Sequence, residues 1–305
     1  MQDMNILVFG KDGQVGKALQ NQLINIPHTS FVGRSECDLS NREQIQATLK
    51  QYQPKIIINA SAFTAVDQAE KEPDLAHAIN GIAPSIMAEY ISNVQRGVFI
   101  HYSTDYVFEG LKQTPYQETD IPNPLSQYGK SKLAGENGVQ EILKSNPNST
   151  ARYFILRTSW VYGDGGNFIK TMLRLASKRD QLKVIADQYG VPSSADWLAH
   201  LAIQLISSDT KSGIYHAVTD GETTWHGLAS FVIQTAMELG YPIKVAHDAI
   251  QAIPATDYPL PAPRPYNSRM DNRKLKDALQ VEHFPHWKDQ VAEYVKKVLS
   301  EQTSY

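Results

Sequence analysis

A short apolar run at residues 4–9, MNILVF, ends in three glycines spaced three apart, Gly10, Gly13 and Gly16, and a run of helix formers follows. A strand that turns over glycines into a helix narrows the architectures open to the chain. Glycine has no Cβ, so it allows a tight turn and close approach of a ligand to the backbone. The N-terminus of the next helix carries partial positive charge and unpaired N–H groups, which suit a pyrophosphate. The spacing here is G-x-x-G-x-x-G, whereas the usual dinucleotide fingerprint is G-x-G-x-x-G. Taken alone, the motif leaves two readings open: a dinucleotide cradle, or a glycine-rich strand-to-helix turn with no ligand.

The rest of the first half supports the strand-helix reading. Apolar windows at 5–9, 30–32, 56–59, 97–103 and 151–158 alternate with helix-like windows at 16–25, 42–52, 73–93 and 125–143. Such alternation predicts an α/β fold with a doubly wound parallel sheet. Residues 56–58 are apolar throughout, as a strand buried on both faces should be. Asp38, Leu39, Ser40 and Asn41 offer capping residues before the helix at 42. After Trp160 the alternation fades. Helix-like windows follow at 167–179, 197–207, 225–239 and 287–299. Five prolines in 253–265 (IPATDYPLPAPRP) exclude helix and central strand there. An ordered loop over a pocket and a linker are both open, and the apolar residues that resume behind it favour the loop.

Bulk properties exclude several classes. With 305 residues, 42% of them hydrophobic, the chain can bury a large core, and a net charge of −3 with a pI near 6.3 provides no basic surface for nucleic acid or membrane. The apolar runs are too short to span a bilayer. The opening MQDMNILVFGKDG lacks a signal peptide's charged start and cleavage site, so a cytoplasmic setting is expected. The single cysteine, Cys37, cannot form an internal disulfide and reads as a packing residue. The sequons at 59–61 and 148–150 read as chance matches.

Two further motifs carry chemistry. HYSTDYVFEG (101–110) follows an apolar strand, and ligands of open α/β sheets sit beyond the carboxyl ends of strands. That puts Ser103, Thr104 and Asp105 at a crevice, although Ser-Thr-Asp is also ordinary turn chemistry. His101, on the strand itself, reads as a core histidine. In QYGKSKLAGE (127–136), Tyr128 and Lys132 are four apart and share one helix face. A lysine beside a tyrosine lowers the phenol's pKa and makes it a general acid toward a carbonyl oxygen. The alternative is a surface tyrosine lying on a lysine stem.

In this order the motifs resemble the extended short-chain dehydrogenase/reductase superfamily and, within it, the dTDP-4-dehydrorhamnose reductase family. The resemblance runs through seven blocks: NILVFGKDGQVG (5–16), NASAFTAVDQAE (59–70), HYSTDYVFEG (101–110), YGKSKLAGE (128–136), RTSWVYG (157–163), DQYGVPS (187–193) and RPYNSRMD (264–271). It implies a Rossmann-type dinucleotide domain over 1–160, with a returning segment near 193–220, and a smaller substrate-binding α/β domain over 161–305. It implies that Gly10, Gly13, Gln14, Val15 and Gly16 line the pyrophosphate, and that Asp38 and Leu39 bracket the adenine. Ala60, Ala62, Phe63 and Thr64 would follow the nicotinamide-side ribose. Thr104 and Tyr128 would bind the sugar's C4 carbonyl, with Tyr128 the proton donor, and Lys132 would bind the ribose and tune Tyr128. Ser103, Asp105 and Trp160 would face the sugar. Arg264, Asn267 and Arg269 would hold the nucleotide's anionic half. The implied reaction is reduction of dTDP-4-dehydro-L-rhamnose to dTDP-L-rhamnose by NADPH or NADH, for a cell-surface polysaccharide or glycoside, by a homodimer.

Two points depart from the usual pattern. The acid expected after the second strand to favour NADH is missing from FVGRS (31–35), where Gly33 and Arg34 stand instead. Arg34 is therefore expected to tolerate or prefer a 2′-phosphate, with a solvated turn residue as the alternative. Metal-bridged dimers through surface glutamates occur in the family, but Lys17 and Ala18 on the first helix are not acids, and no metal is expected. The alternatives are a nucleotide-sugar epimerase or dehydratase of the same fold, or a non-catalytic regulatory subunit resembling that of methionine adenosyltransferase. Tyr106, where a dehydratase would carry glutamate, disfavours the dehydratase. The Tyr128–Lys132 pair, Trp160 and the Arg264 block favour an enzyme over the regulatory subunit.

Overall fold

The computed structural model describes residues 5–302. Strands β1 (Ile6–Phe9), β2 (Thr29–Val32), β3 (Ile56–Asn59), β4 (Val98–Thr104), β5 (Arg152–Thr158) and β6 (Gly213–His216) form one sheet in the order β6-β5-β4-β3-β1-β2. Every pairing in it is parallel, and Val8 of β1 lies level with Phe31 and Ile58. The chain runs outward from β1 to β2, then crosses back to β3. That reversal opens a crevice at the carboxyl ends of β1 and β3, the usual place for a ligand in such a sheet.

The apolar runs have a simple cause. Successive strand side chains point to opposite faces, and here both faces are covered. Ile6 and Val8 pack under helices α1 (Gln14–Leu23) and α6 (Ala195–Ser207), while Leu7 and Phe9 pack under α2 (Arg42–Tyr52), α3 (Ala83–Ser92) and α4 (Gln127–Ser145). The segment 195–216 returns to this sheet, α6 against α1 and β6 beside β5. A separate core gathers α5 (Phe168–Ala176), α7 (Trp225–Glu238) and α8 (Trp287–Gln302) around a two-stranded parallel ladder, Leu182–Ile185 with Ile250–Ile253. Among the described residues no helix is long and apolar enough to cross a membrane.

The window 73–93 is not one helix. It runs as Pro73–His77, a π-helical turn Ala78–Ile82, and α3. Pro84 has no N–H to donate to the Asn80 carbonyl, so the i→i−4 ladder cannot close there. The freed Asn80 carbonyl lies where a Cβ on Gly135 of α4 would strike it, so glycine at 135 lets α4 come close. The proline-rich stretch is an ordered loop. Ala262 is buried, its N–H donates to Asp67 Oδ1 at 3.0 Å, and Arg264 pairs with the same carboxylate at 3.0 Å. This ties the loop to the short helix Val66–Ala69 beside the crevice.

Candidate active site

The turn after β1 is shaped by steric exclusion. Gly10 has φ +88°, a region L-residues rarely adopt, and a Cβ there would stand 2.7 Å from the Ser61 N–H nitrogen. A Cβ on Gly16 would collide with the Gly10 carbonyl. Gly16 therefore lets α1 start directly against the turn. The N-termini of α2, α4, α5, α6 and α7 are capped by Asn41, Ser126, Asn167, Ser194 and Thr224. Helix α1 has no side-chain cap and no acid in its first turn. Its free N–H groups and positive end face a cavity of about 770 Å³ lined by Gly10, Gly13, Gln14 and Val15. The donor set and the shape fit a dinucleotide pyrophosphate.

The same cavity is lined by Arg34, Asp38, Leu39, Ala60, Ala62, Phe63 and Thr64, and farther along by Ser103, Thr104, Asp105, Tyr128, Lys132 and Trp160. The carboxyl end of β4 delivers Thr104, and the first turn of α4, set by its Ser126 cap, delivers Tyr128. Tyr128 and Thr104 line the cavity together, and Thr104 Oγ1 donates to Asp105 Oδ1 at 3.0 Å. Burial pushes Asp105 up to about 6. The ring of Tyr106 meets that of Tyr128 edge-on at 5.5 Å.

The charge logic differs from expectation in one respect. Burial, not Lys132, sets the direction in which the phenol shifts. Burial raises Tyr128 to about 12, and the Lys132 ammonium, 1% exposed, donates to the Tyr102 carbonyl at 2.6 Å. Burial also draws Lys132 down to about 8, partly offset by Glu136 one helical turn on. Glu136 is fully buried. It takes a bidentate pair from Arg157, the closest contact 2.6 Å, and a hydrogen bond from Ser103 Oγ at 2.5 Å. Ser103 thus faces the charge pair beneath the cavity floor as well as the cavity.

Several residues that pattern alone could not find hold the site together. Buried Asn80 accepts from the Phe63 N–H at 2.8 Å and donates to the Phe63 carbonyl at 3.1 Å and to Ser131 at 3.0 Å, joining the 60–64 loop to α4. Asn59 accepts from Ser61 N–H and contacts His101 Nδ1 at 3.1 Å; His101 is a fully buried core residue. Trp225, from the other core, joins the cavity wall and stacks on Trp160. The only sequence signal was its place at the start of a helix window.

Four residues expected at the ligand do not line the cavity. Gly16 lies behind the turn. Asn267, buried, donates to the carbonyls of Lys112 and Thr114 at 2.6 and 2.9 Å, and Arg269 binds Asn267, the Gln113 carbonyl and Glu222. Both clamp the 264–271 segment to the 110–116 loop. Arg264 is held by Asp67. Glu36 folds back, accepting from the Gly33 N–H at 2.8 Å and pairing with Lys11 at 2.5 Å, and these contacts hold its carboxyl at about 2. Glu36 thus stands near the end of β2 but off the cavity wall, which Gly33 and Arg34 line.

A family model described as the RmlD substrate binding domain matches residues 4–300. The chain belongs to this family. It is 43% identical over 311 residues to a dTDP-4-dehydrorhamnose reductase of Shigella flexneri, covering 98% of both chains. It is 38% identical to one from Burkholderia thailandensis, covering 98% of this chain and 100% of the other. Among solved structures, a dTDP-4-dehydrorhamnose reductase from Clostridium acetobutylicum superposes with a TM-score of 0.86 at 33% identity, covering 97% of this chain and 100% of that one. One from Bacillus anthracis, in complex with NADP, gives 0.86 at 32%, covering 96% and 99%. The fold is Rossmann-type, and a third dTDP-4-dehydrorhamnose reductase, from Yersinia enterocolitica, superposes with a TM-score of 0.83 at 25% identity, covering 96% of this chain and 99% of that one.

Proposed function

We propose that the protein reduces dTDP-4-dehydro-L-rhamnose to dTDP-L-rhamnose with NADPH or NADH. The observation that carries this is one continuous cavity running from the uncapped N-terminus of α1 to Thr104, Tyr128 and Lys132. When bound, the dinucleotide supplies the hydride to C4. The turn at Gly10–Val15 holds its pyrophosphate, and Ala60, Ala62, Phe63 and Thr64 line the path toward the reacting end.

The chain's own residues handle the proton and the charge. Tyr128 is protonated across the physiological range because burial raises its pKa, so it is loaded as an acid. It gives its proton to the C4 oxygen as negative charge develops there. Thr104 hydrogen-bonds the same oxygen. Lys132 places a positive charge in a dry site, where it favours the phenolate left behind, and the buried Glu136 keeps that ammonium charged. Asp105 and Trp160 face the sugar. Arg264 grips the diphosphate by exchanging Asp67 for it, whereas Asn267 and Arg269 support the wall. Arg34, on the cavity wall, donates to a 2′-phosphate, so NADPH serves at least as well as NADH. A homodimer in the cytoplasm completes the reading.

The test is a coupled assay with enzymatically made dTDP-4-dehydro-L-rhamnose, following loss of reduced dinucleotide and formation of dTDP-L-rhamnose. Turnover by the wild type, lost in Tyr128→Phe, is expected. Dinucleotide binding without turnover would reject the substrate assignment.

A further inference from the structure

Trp160 is bulky, yet its backbone has φ +47°, a strained setting that persists only where the surroundings enforce it. Three chain segments enforce it. The residues that follow, Val161–Tyr162, pair with Ser193–Ser194. Gly190 and Thr223 face each other in a second short ladder, Tyr189–Gly190 with Thr223–Thr224. That ladder places Gly190 and Trp225 against the same indole. Trp225 stacks on it face to face, ring centroids 3.7 Å apart and planes 16° from parallel, and Phe168 backs Trp225 at 4.7 Å. On the Gly190 side the fit is so close that a Cβ would stand 2.5 Å from Cε2 and 2.6 Å from Cζ2. The clamped indole lines the cavity that holds Thr104 and Tyr128.

We propose that Trp225 and Gly190 are positioning residues for the sugar: by clamping the Trp160 indole from two sides they fix the wall that orients the C4 carbonyl toward Thr104 and Tyr128. This rests on the function proposed above. A freed indole leaves the ring room to turn, and misplacement of about 1 Å at a reacting centre costs on the order of 10²-fold in rate. The clamp also brings together parts of the chain far apart in sequence, so the sugar wall forms only when the second core docks on the first sheet.

The test compares Trp225→Ala, Trp225→Phe, Trp225→Leu and Gly190→Ala with the wild type. It uses steady-state kinetics at saturating reduced dinucleotide, titration of NADP⁺ binding, and the circular-dichroism exciton couplet of the stacked indoles. We expect kcat to fall by about tenfold to a hundredfold in Trp225→Ala and Gly190→Ala, with NADP⁺ affinity changed by much less than kcat. The couplet should vanish in all three Trp225 variants and change in Gly190→Ala. Phenylalanine, which still stacks, should restore most of kcat, and leucine should not. If Trp225→Ala does not fold, the phenylalanine–leucine comparison decides. Loss of the couplet with unchanged kcat and KM, or equal kcat for phenylalanine and leucine, would overturn the proposal alone. A wild type that binds NADP⁺ but never turns over would overturn both it and the function on which it rests.

Discussion

Tyr128 and Lys132 show how burial assigns opposite roles to neighbouring groups. Burial disfavours the charged form of each, so the phenol rises to about 12 and the ammonium falls to about 8. The sign for stability follows. Between the folded value near 8 and the ordinary value of 10.5, the unfolded chain binds more protons at Lys132 than the folded one, so stability rises with pH across that window. Below pH 8 the buried charge is a cost in full. Lys132→Met should therefore have a melting temperature at pH 7 no lower than wild type, while kcat falls by at least about tenfold. A clear drop in melting temperature would mean the Tyr102 carbonyl bond outweighs the burial cost. Rate should also decline as pH rises through 8 in the wild type, read as an alkaline limb in kcat. Tyr128→Phe should lower kcat by about 10²–10⁴-fold and leave NADP⁺ affinity intact, measured by calorimetric titration.

At the level of elements, α4 and β5 are joined by a charge pair with almost no access to water, side-chain exposures of 0% for Glu136 and 2% for Arg157. Removing one partner strands the other. Glu136→Ala should destabilise by about 3–5 kcal/mol, seen as a lowered urea midpoint. A double change to Glu136→Leu and Arg157→Met should recover much of that loss, since an apolar pair of similar volume is often neutral, yet activity should stay low because Lys132 has lost its counter-charge. The turn between β1 and α1 makes a second case. Gly16→Ala drives a methyl group into the Gly10 carbonyl, so the helix must back away from the turn. We expect NADP⁺ affinity to fall by about tenfold or more, with wild-type affinity as the contrary result. The motif that opens the chain is therefore about packing at Gly16 and backbone conformation at Gly10.

For the molecule as a whole, the proline-rich loop is tied beside the crevice through a single acid. Asp67 accepts from Ala262 and pairs with Arg264. Asp67→Ala should free the segment 258–265, raising its hydrogen exchange and increasing KM for the nucleotide sugar by about threefold to tenfold, with kcat less affected. Unaltered exchange there would show that the prolines alone order the loop. Most of the first sheet was legible beforehand: β1 and β3 are buried throughout and read as largely apolar runs, whereas β6 (GIYH), half-buried, gave no such signal. The break at Asn80 was marked by Pro84 inside the 73–93 window, but the apolar pattern on both sides of it reads as one continuous helix. The role of Asn267 and Arg269 was not legible, since their donors go to backbone carbonyls some 150 residues away in the chain.

Local chemistry wrote the order of strands and helices, the glycine turn, the caps at Asn41 and Asn167, and the i,i+4 pairing of Tyr128 with Lys132. These depend on neighbours within a few residues, where steric and hydrogen-bonding preferences act directly. Only the tertiary structure decided that Glu36 would return to Gly33, that the pKa of Lys132 would fall toward 8 and that of Tyr128 rise toward 12, and that Trp225 would meet Trp160. Those outcomes depend on burial and on which distant segments come together, and neither quantity exists until the two cores have packed.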